Sequence, residues 1–274
     1  MDFKEKIKNK EFKIGIAGIG FVGGAVRAFY EKQGVDLLLY DKYKGIGSLE
    51  DLNKADLIFL CLPTPFVEEN GKGFDDSALR EVLGQIEGEK NIVIKSTILP
   101  GSTEEYQKDF PQHKILFNPE FLIAKTAVQD FENPSRQIVG YTKKSQDIAK
   151  NVMDILPDAP FKKIVRATEA EMVKYFGNTF LSTRVIFANQ FYDVCHKIGA
   201  DYETIKECAG EDNRIGKSHF EIFHDGYRGY GGACLPKDTK AFLQFAESLG
   251  IEPKLLKVLE EINKTLISGN EQKK

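Results

Sequence analysis

The segment Gly229–Asp238, with the sequence GYGGACLPKD, combines a thiol, an ammonium group and a carboxylate in a short glycine-rich stretch. The thiolate is the attacking form of a cysteine, and neighbouring positive charge favours it, so Cys234 near Lys237 suits nucleophilic catalysis. Pro236 stiffens the chain that leaves the cysteine. Taken alone, such a segment is more often a turn with an incidental cysteine, but a second motif in the chain favours the catalytic interpretation.

That second motif is a glycine turn near the N-terminus, Gly18-Ile19-Gly20-Phe21-Val22-Gly23. A strand is predicted before it over Lys13–Ala17, a helix after it to about Gln33, and a second strand over Asp36–Tyr40, followed by Asp41. This is the order of a dinucleotide-binding βαβ unit, whose helix N-terminus meets the pyrophosphate. The acidic side chain can bind both ribose hydroxyls and would repel a 2′-phosphate, which favours NAD over NADP. The predicted cofactor contacts in this unit are Gly18, Gly20, Phe21, Val22, Gly23 and Asp41.

The first half of the chain continues to alternate strands with helices. Further strands are predicted at Leu57–Leu62, Asn91–Thr97, Ile115–Phe117, Gln137–Tyr141 and Phe161–Val165, and helices at Asp76–Ile86, Ser102–Asp109 and Ser145–Leu156. The alternation predicts an α/β fold with a doubly wound, mostly parallel Rossmann-type sheet, whose ligands lie beyond the carboxyl ends of the strands. Three strand ends there carry polar groups, although each alone is ordinary turn chemistry: Pro63-Thr64-Pro65, Ser96-Thr97 and Asn118-Pro119-Glu120.

The second half is predicted to be all-α, with one long central helix from Thr168 to about Gly199. Thr168 and Glu171 have the spacing of a capping box at its start. Apolar residues recur along it at spacings of three and four and form one stripe, which is wide enough to pack on a second copy of the chain as well as on its own domain: Met172, Phe176, Phe180, Thr183, Phe187, Phe191, Val194 and Ile198. A homodimer through this helix is therefore predicted.

Lys174 and Asn178 lie one turn apart on the long helix, roughly opposite the apolar stripe. Leu181, Val185 and Ala188 continue their face, so burial is expected on both sides of the helix and both polar side chains can point into one pocket. Shorter helices are predicted at Tyr202–Cys208, Asp238–Leu249 and Lys254–Ile267. The predicted domains are residues 1–166, which bind the cofactor, and residues 167–274, which are helical and carry the cysteine.

Composition excludes several classes of partner. The 38 basic and 41 acidic residues give a net charge of −3, which offers no electrostatic basis for binding nucleic acid or an anionic membrane. The four cysteines lack metal-ligand spacing, so we expect reduced thiols and no metal site. With no signal sequence or membrane-spanning apolar run, the sequence predicts a cytoplasmic protein.

Over nearly its whole length the chain resembles the UDP-glucose/GDP-mannose dehydrogenases. Besides the two glycine motifs, the resemblance is carried by Ser96-Thr97, Asn118-Pro119-Glu120-Phe121-Leu122, Glu169-Ala170-Glu171 with Lys174 and Asn178, and Arg214-Ile215-Gly216. The family oxidises the primary alcohol of a nucleotide sugar to the carboxylate with two NAD per turnover. The resemblance implies that this chain converts UDP-glucose to UDP-glucuronate.

The resemblance also implies catalytic roles. Cys234 would form a thiohemiacetal with the aldehyde and then a thioester, while Lys174 and Asn178 would hold the developing oxyanion. Asp238 would position or activate water, and Glu120 would assist proton transfer during hydrolysis. These roles agree with the chemistry, because an aldehyde yields a second hydride only after a nucleophile adds to it.

Further contacts follow from the same resemblance. Thr97 would lie near the nicotinamide and the reacting carbon, and Arg214 would reach the sugar nucleotide, often across a subunit interface in the family. The implied substrate contacts are Glu120, Phe121, Leu122, Lys174, Asn178, Arg214, Tyr230 and Gly231. The implied cofactor contacts at the strand ends are Pro63, Thr64 and Thr97.

Two departures from the family pattern leave alternatives open. Ala124 stands where relatives usually carry a glutamate close to the cofactor, and family members usually continue into a third, Rossmann-like domain that grips the nucleotide. The chain would then be a short form, a truncated one, or one that needs a separate partner chain. Two other functions remain open: a two-electron β-hydroxyacid-type dehydrogenase, which needs no cysteine, and a non-catalytic NAD-binding subunit.

Overall fold

The chain divides into two units. The computed structural model describes residues 2–68, 73–224 and 226–271. The first unit is Met1–Pro65 with Phe74–Lys174, and the second is Phe66–Gly73 with Tyr175–Lys274. The predicted domain boundary at residue 166 falls at the start of the long helix, whereas the contacts divide the chain inside that helix.

A seven-stranded sheet in the order β2-β1-β3-β4-β5-β6-β7 forms the centre of the first unit. Its strands are β1 Ile14–Ala17, β2 Leu37–Tyr40, β3 Leu57–Leu60, β4 Asn91–Ile94, β5 Lys114–Phe117, β6 Arg136–Tyr141 and β7 Phe161–Arg166. β1, β3 and β4 are apolar and buried, as expected for strands covered on both faces. The predicted mostly parallel α/β sheet is confirmed.

One pair of neighbouring strands, β5 and β6, is antiparallel. Phe117 pairs with Gly140, so β6 begins beyond the carboxyl end of β5 and runs back along it. The connection between the two strands therefore starts and finishes at the edge of the sheet where the parallel strands end. The Asn118-Pro119-Glu120 segment, which follows β5 directly, begins at this edge.

The helices of the first unit cover the sheet. They are α1 Phe3–Lys8, α2 Phe21–Lys32, α3 Leu49–Leu52, α4 Ser77–Gln85, α5 Ser102–Asp109, α6 Ala127–Glu132 and α7 Ala149–Ile155, with 3-10 turns at Ala124–Thr126 and Gln146–Ile148. The predicted helix Ser145–Leu156 is thus a 3-10 turn followed by a shorter α-helix. Helices α1, α3 and α6 were not predicted, because each is too short to show a full amphipathic period.

The long helix α8 spans Ala167–Ile198 and follows β7 directly. The predicted capping box is wrong, because the helix already includes Ala167 and leaves no extended residue at Thr168. The buried carboxylate of Glu171 instead accepts hydrogen bonds from Gly101 N (2.6 Å), Thr103 N (2.8 Å) and Thr103 Oγ1 (2.5 Å). It therefore caps the N-terminus of α5, where backbone N–H groups lack partners within their own helix.

Replacing Glu171 by alanine should destabilise the protein by about 3 kcal/mol, because three buried donors would lose their acceptor. Urea denaturation measures the change. Glu169→Ala is the matched control, since Glu169 is exposed on the same helix turn, and it should change the free energy of unfolding by less than about 0.5 kcal/mol. Equal effects of the two variants would show that Glu171 does not cap α5.

The second unit is helical, as predicted. It contains most of α8 together with α9 Tyr202–Gly210, α10 Leu235–Ser248 and α11 Lys254–Glu271. Val185, Ile186, Tyr230 and Leu259 form one of its buried clusters. Among the described helices, none has a stretch both long and apolar enough to cross a membrane.

Burial on both sides of α8 was expected, but only one side is buried within the chain. Val185 and Ala188 are buried on the face that Lys174 and Asn178 begin. The predicted apolar stripe is largely exposed, with Phe176 at 74% and Ile198 at 71% of their full exposure. The opposite face of α8 therefore lacks cover from the described part of its own chain.

Candidate active site

The carboxyl ends of the parallel strands bring several predicted site residues to one edge of the first unit. The register pairs Ala17 with Leu60, Leu60 with Ile94, and Ile94 with Phe117, so these strands end at the same level. Beyond them, Thr64 Oγ1 donates to Thr97 O at 2.7 Å. A hydrogen bond thus joins Thr64 and Thr97, which are both predicted cofactor contacts. Pro63, the residue before Thr64, is exposed.

The glycine turn between β1 and α2 is formed by close backbone approaches. Gly18 has φ +86°, and a Cβ there would lie 2.5 Å from the carbonyl oxygen of Cys61. A Cβ on Gly23 would lie 1.8 Å from the oxygen of Gly18, so neither position tolerates a side chain. A Cβ on Gly20 would meet nothing within 4 Å. Gly20 is the N-cap of α2, so this open space lies where a helix N-terminus offers its N–H groups to a phosphate.

Asp41 follows β2 and organises the same turn. Its Oδ2 accepts from Ile19 N at 2.8 Å, and its Oδ1 accepts from Tyr43 N at 3.1 Å and Lys44 N at 3.0 Å. Burial pushes the pKa of Asp41 upward, but these N–H groups and the charge of Lys44 outweigh it and leave the pKa below its ordinary value. A carboxylate has about four lone-pair positions and three N–H groups already donate to Asp41, so about one acceptor position remains for a ribose hydroxyl.

Glu120 and Lys174 form a buried ion pair in the first unit. Lys174 Nζ lies 2.7 Å from Glu120 Oε1 and also donates to Glu120 O at 2.9 Å, while Leu122 N donates to Glu120 Oε2 at 2.9 Å. Burial raises the pKa of Glu120, but Lys174, the Leu122 N–H and Lys95 outweigh it, so the pKa lies below its ordinary value. An ammonium group has three N–H donors, and one on Lys174 remains for a substrate oxygen.

Asn178 and Asp238 form the corresponding polar pair of the second unit. Asn178 Nδ2 donates to Asp238 Oδ2, and Lys237 Nζ donates to Asp238 Oδ1 at 2.5 Å. Asp238 is almost fully buried and therefore well fixed. The amide of Asn178 has a second N–H, which remains able to donate to a developing oxyanion.

Cys234 is exposed and occupies the N-cap of the 14-residue helix α10. The helix begins at Leu235 rather than at the predicted Asp238, because proline is compatible with a first helical turn, where its missing N–H is not needed. The N-terminus of a helix carries partial positive charge, which favours a thiolate at this position. Asp238 lies one turn further along the same helix.

The segment before the cysteine is fixed by α11. Asn263 Oδ1 accepts from Tyr230 N at 2.8 Å and Asn263 Nδ2 donates to Tyr230 O at 3.0 Å, while the Tyr230 hydroxyl donates to Glu260. A Cβ on Gly231 would lie 2.3 Å from the hydroxyl oxygen of Tyr227, so a side chain there would displace the Tyr227 ring. Tyr230 is buried, so its described bonds support the loop, and its contact with substrate stays a prediction.

The side chains of the remaining predicted substrate residues make other contacts, although the Leu122 N–H bonds to Glu120. The Arg136 guanidinium lies 3.8 Å from the centre of the Phe121 ring, and Leu122 packs against the core of the first unit. The Arg214 side chain is 89% exposed and is paired with Asp212. Ala124 begins a 3-10 turn after the exposed Ile123. The structure thus groups Glu120 with Lys174 and Asn178 with Asp238, and does not group Arg214 with either pair through its described bonds.

Sequence reasoning missed three supporting residues: Lys95, Glu260 and Asn263. Lys95 lies inside the predicted strand Asn91–Thr97 and next to Ser96, and a lysine within an otherwise apolar strand was the available signal. Glu260 and Asn263 share one face of α11 at a spacing of three. Nothing in the sequence connects that face with Tyr230, because the contact joins residues thirty-three positions apart.

Two family models match this chain. Residues 42–156 match the NAD binding domain of the UDP-glucose/GDP-mannose dehydrogenase family, and residues 168–265 match the central domain of the same family. The chain belongs to the UDP-glucose/GDP-mannose dehydrogenase family. The glycine turn and Asp41 precede the first matched residue, so their assignment depends on the geometry given above.

Individual members of the UDP-glucose/GDP-mannose dehydrogenase family are also similar to the chain. The UDP-glucose 6-dehydrogenase of Rickettsia felis is 34% identical over 224 residues, which are 78% of this chain and 49% of that protein. The UDP-glucose 6-dehydrogenase of Rhizobium meliloti is 28% identical over 301 residues, covering 92% of this chain and 67% of that protein. The chain thus spans about half to two thirds of the length of these relatives.

Solved structures of the family share the fold. A UDP-glucose dehydrogenase from Pyrobaculum islandicum superposes with a TM-score of 0.81 at 26% identity, over 93% of this chain and 68% of that one. A UDP-D-ManNAc dehydrogenase from Pyrococcus horikoshii has a TM-score of 0.80 at 22% identity over 93% of this chain and 69% of that one. The cofactor of the family's N-terminal domain is NAD, and the open space at Gly20 with the acceptors of Asp41 fits it.

Replacing Gly20 by alanine should weaken NAD binding about tenfold or more without destabilising the protein, because the new methyl group would enter the space open to the pyrophosphate. Calorimetric titration with NAD measures the affinity, and thermal denaturation measures the stability. Gly24→Ala is the control: a Cβ there also meets nothing within 4 Å, but Gly24 lies beyond the fingerprint. Unchanged NAD affinity in Gly20→Ala would place the pyrophosphate elsewhere.

Proposed function

We propose that the chain catalyses the NAD-dependent, four-electron oxidation of a nucleotide-sugar primary alcohol to the carboxylate, with UDP-glucose as substrate and UDP-glucuronate as product. The observation that carries the proposal is the exposed thiol of Cys234 at a helix N-terminus, one turn before the buried Asp238. A two-electron alcohol oxidation needs no nucleophile, whereas oxidation to the acid needs one. The names of the relatives in the family support the substrate.

Each polar pair has a role in this reaction. The N–H groups of Lys174 and Asn178 that make no described hydrogen bond would stabilise the negative charge that develops on the sugar oxygen. Bound NAD would accept one hydride in each of the two oxidations, so two molecules are consumed per turnover. After the first oxidation, Cys234 would add to the aldehyde carbon and form a thiohemiacetal, which the second oxidation converts to a thioester. Cys234 would leave as the thiolate when water attacks this thioester.

The two carboxylates would handle protons and water. Glu120, with its lowered pKa, is ionised at neutral pH and would accept the proton of the attacking water. Asp238, held by Asn178 and Lys237, would orient that water. Thr97 would lie beside the reacting carbon, while Phe121, Leu122, Tyr230, Gly231 and Arg214 would line the sugar-nucleotide site.

An assay of NADH release with a panel of UDP- and GDP-sugars tests the proposal. Two NADH per molecule of UDP-glucose, with UDP-glucuronate as the product, is the expected result. One NADH per substrate, or turnover of a β-hydroxyacid instead, would indicate the two-electron alternative. NAD binding without any turnover would overturn the proposal for this chain and favour a cofactor-binding subunit that needs a partner chain.

The exposed stripe on α8 supports a homodimer. Large apolar side chains that lie together on a surface usually mark an interaction site, and Phe176, Phe180, Phe187 and Phe191 are all at least half exposed or nearly so. Sedimentation should show a dimer for the wild type and a monomer for the Phe180→Glu, Phe187→Glu double variant. A monomeric wild type at micromolar concentration would contradict the homodimer.

A further inference from the structure

Lys95 is a buried lysine that the reaction outlined above does not use. It follows β4 directly, and only 2% of the residue is exposed. Its Nζ donates to Asn118 Oδ1 at 2.5 Å and lies 5.2 Å from the centre of the Phe131 ring. An amide oxygen and an aromatic face compensate a buried ammonium less well than a carboxylate does, so its retention in the core calls for a reason.

The hydrogen bonds of Asn118 connect Lys95 to the segment that carries Glu120. Asn118 Nδ2 donates to Ile138 O at 2.7 Å and to Gln137 Oε1 at 3.3 Å. Asn118 therefore joins β4, through Lys95, with β6. Glu120 follows two residues later, so the position of its backbone depends on this three-strand connection.

The positive charge of Lys95 provides a second link between Lys95 and Glu120. The ionisable groups that face Lys95 are Cys61 after β3, Glu120 after β5 and Lys174 on α8. Burial lowers the pKa of Lys95 to about 8, although Cys61 and Glu120 act in the opposite direction. The same proximity makes Lys95 one of the groups that lower the pKa of Glu120, after Lys174 and the Leu122 N–H.

We propose that Lys95 is a positioning residue for Glu120: it fixes Asn118 at the start of the segment and adds a second positive charge beside the carboxylate. The effect of Lys95 on catalysis rests on the function proposed above, in which Glu120 accepts a proton. A change in the charge of Lys95 should therefore change the proton affinity of Glu120 even when Lys174 is intact.

Carboxyl ¹³C NMR of the full chain labelled in glutamate tests this directly, with the Glu120 signal assigned from its loss in Glu120→Gln. Lys95→Met should raise the pKa of Glu120 by about half a unit to one unit, because one neighbouring positive charge is lost. Lys114→Met is the control: it removes a lysine from the start of β5, where Lys114 pairs with Asp147, and should leave Glu120 unchanged. No shift in Lys95→Met, or an equal shift in both variants, would overturn the proposal.

The wild-type chain gives an independent measurement in case Lys95→Met does not fold. The Glu120 signal should show a second inflection near pH 8, as Lys95 loses its proton; a single inflection would overturn the proposal. When turnover is measured against pH, the acidic limb of the kcat profile should move to higher pH in Lys95→Met. The KM for the sugar should not change. If the wild type proves inactive, the proposed function fails, while the NMR titrations still decide the role of Lys95.

Discussion

Replacing Cys234 by serine should lower the formation of UDP-glucuronate from UDP-glucose by about a thousandfold or more. A serine hydroxyl is almost entirely protonated at neutral pH and is a far weaker nucleophile than a thiolate, so the second oxidation would lose its covalent step. The N-terminus of α10 favours an anion at this position, but it cannot compensate for the much higher proton affinity of an alkoxide. Steady-state assays with saturating NAD and UDP-glucose measure the effect.

Cys208→Ser is the matched control for that experiment. Cys208 is also an exposed thiol of the second unit, on α9, and its replacement should leave turnover unchanged. NAD affinity should be the same in both variants, because the predicted cofactor contacts lie in the first unit. Full formation of UDP-glucuronate by Cys234→Ser would show that oxidation to the acid proceeds without a covalent intermediate on this thiol.

Glu120→Gln should destabilise the protein by about 3 to 5 kcal/mol at pH 7. The substitution leaves the Lys174 ammonium buried without its countercharge, and an uncompensated buried charge is costly. Urea denaturation measures the loss. The lowered pKa of Glu120 means that the carboxylate contributes this stability above its ordinary pKa of 4.5 and loses it as the pH falls through the lowered value. The difference between wild type and variant should therefore shrink below about pH 4.

An exposed ion pair provides the comparison for the buried one. Lys10 and Asp36 lie 3.3 Å apart with side chains 77% and 87% exposed, so Asp36→Asn should cost less than about 1 kcal/mol. Equal losses in Glu120→Gln and Asp36→Asn would mean that the pair with Lys174 is solvated in solution. Such a result would also remove the basis for the lowered pKa of Glu120.

The first unit could be predicted well because its strands are short, apolar and separated by turn residues. The alternation located β1 to β7 to within a few residues. The cofactor contacts at the glycine turn and Asp41 stay a prediction. The direction of β6 could not be predicted, because it depends on the end of the sheet at which the chain re-enters. The periodicity of apolar residues is the same for both directions. The contact of Glu171 could not be predicted either. Its spacing from Thr168 suggested a cap for α8, whereas its carboxylate caps α5.

The candidate site was predictable by residue type, but its pairing was not. Lys174 and Asn178 were expected to act together because they lie one turn apart on α8. Their described bonds instead go to different partners, Glu120 in the first unit and Asp238 in the second. Such pairing depends on side chains brought together from separate elements. The start of α10 was predicted at Asp238, three residues later than observed, and Pro236 lies in the first turn of that helix.

The double hydrogen bond from Asn263 to the backbone of Tyr230 sets a practical limit on engineering this protein. The residues that shape the approach to the reactive sulfur are anchored more than thirty positions downstream, on the last helix. Trimming for crystallisation, or grafting another module onto the C-terminal side, should therefore leave α11 intact through Asn263 and the turn beyond it. A shorter fragment would retain the proposed catalytic residues but lose both hydrogen bonds that hold the segment before Cys234.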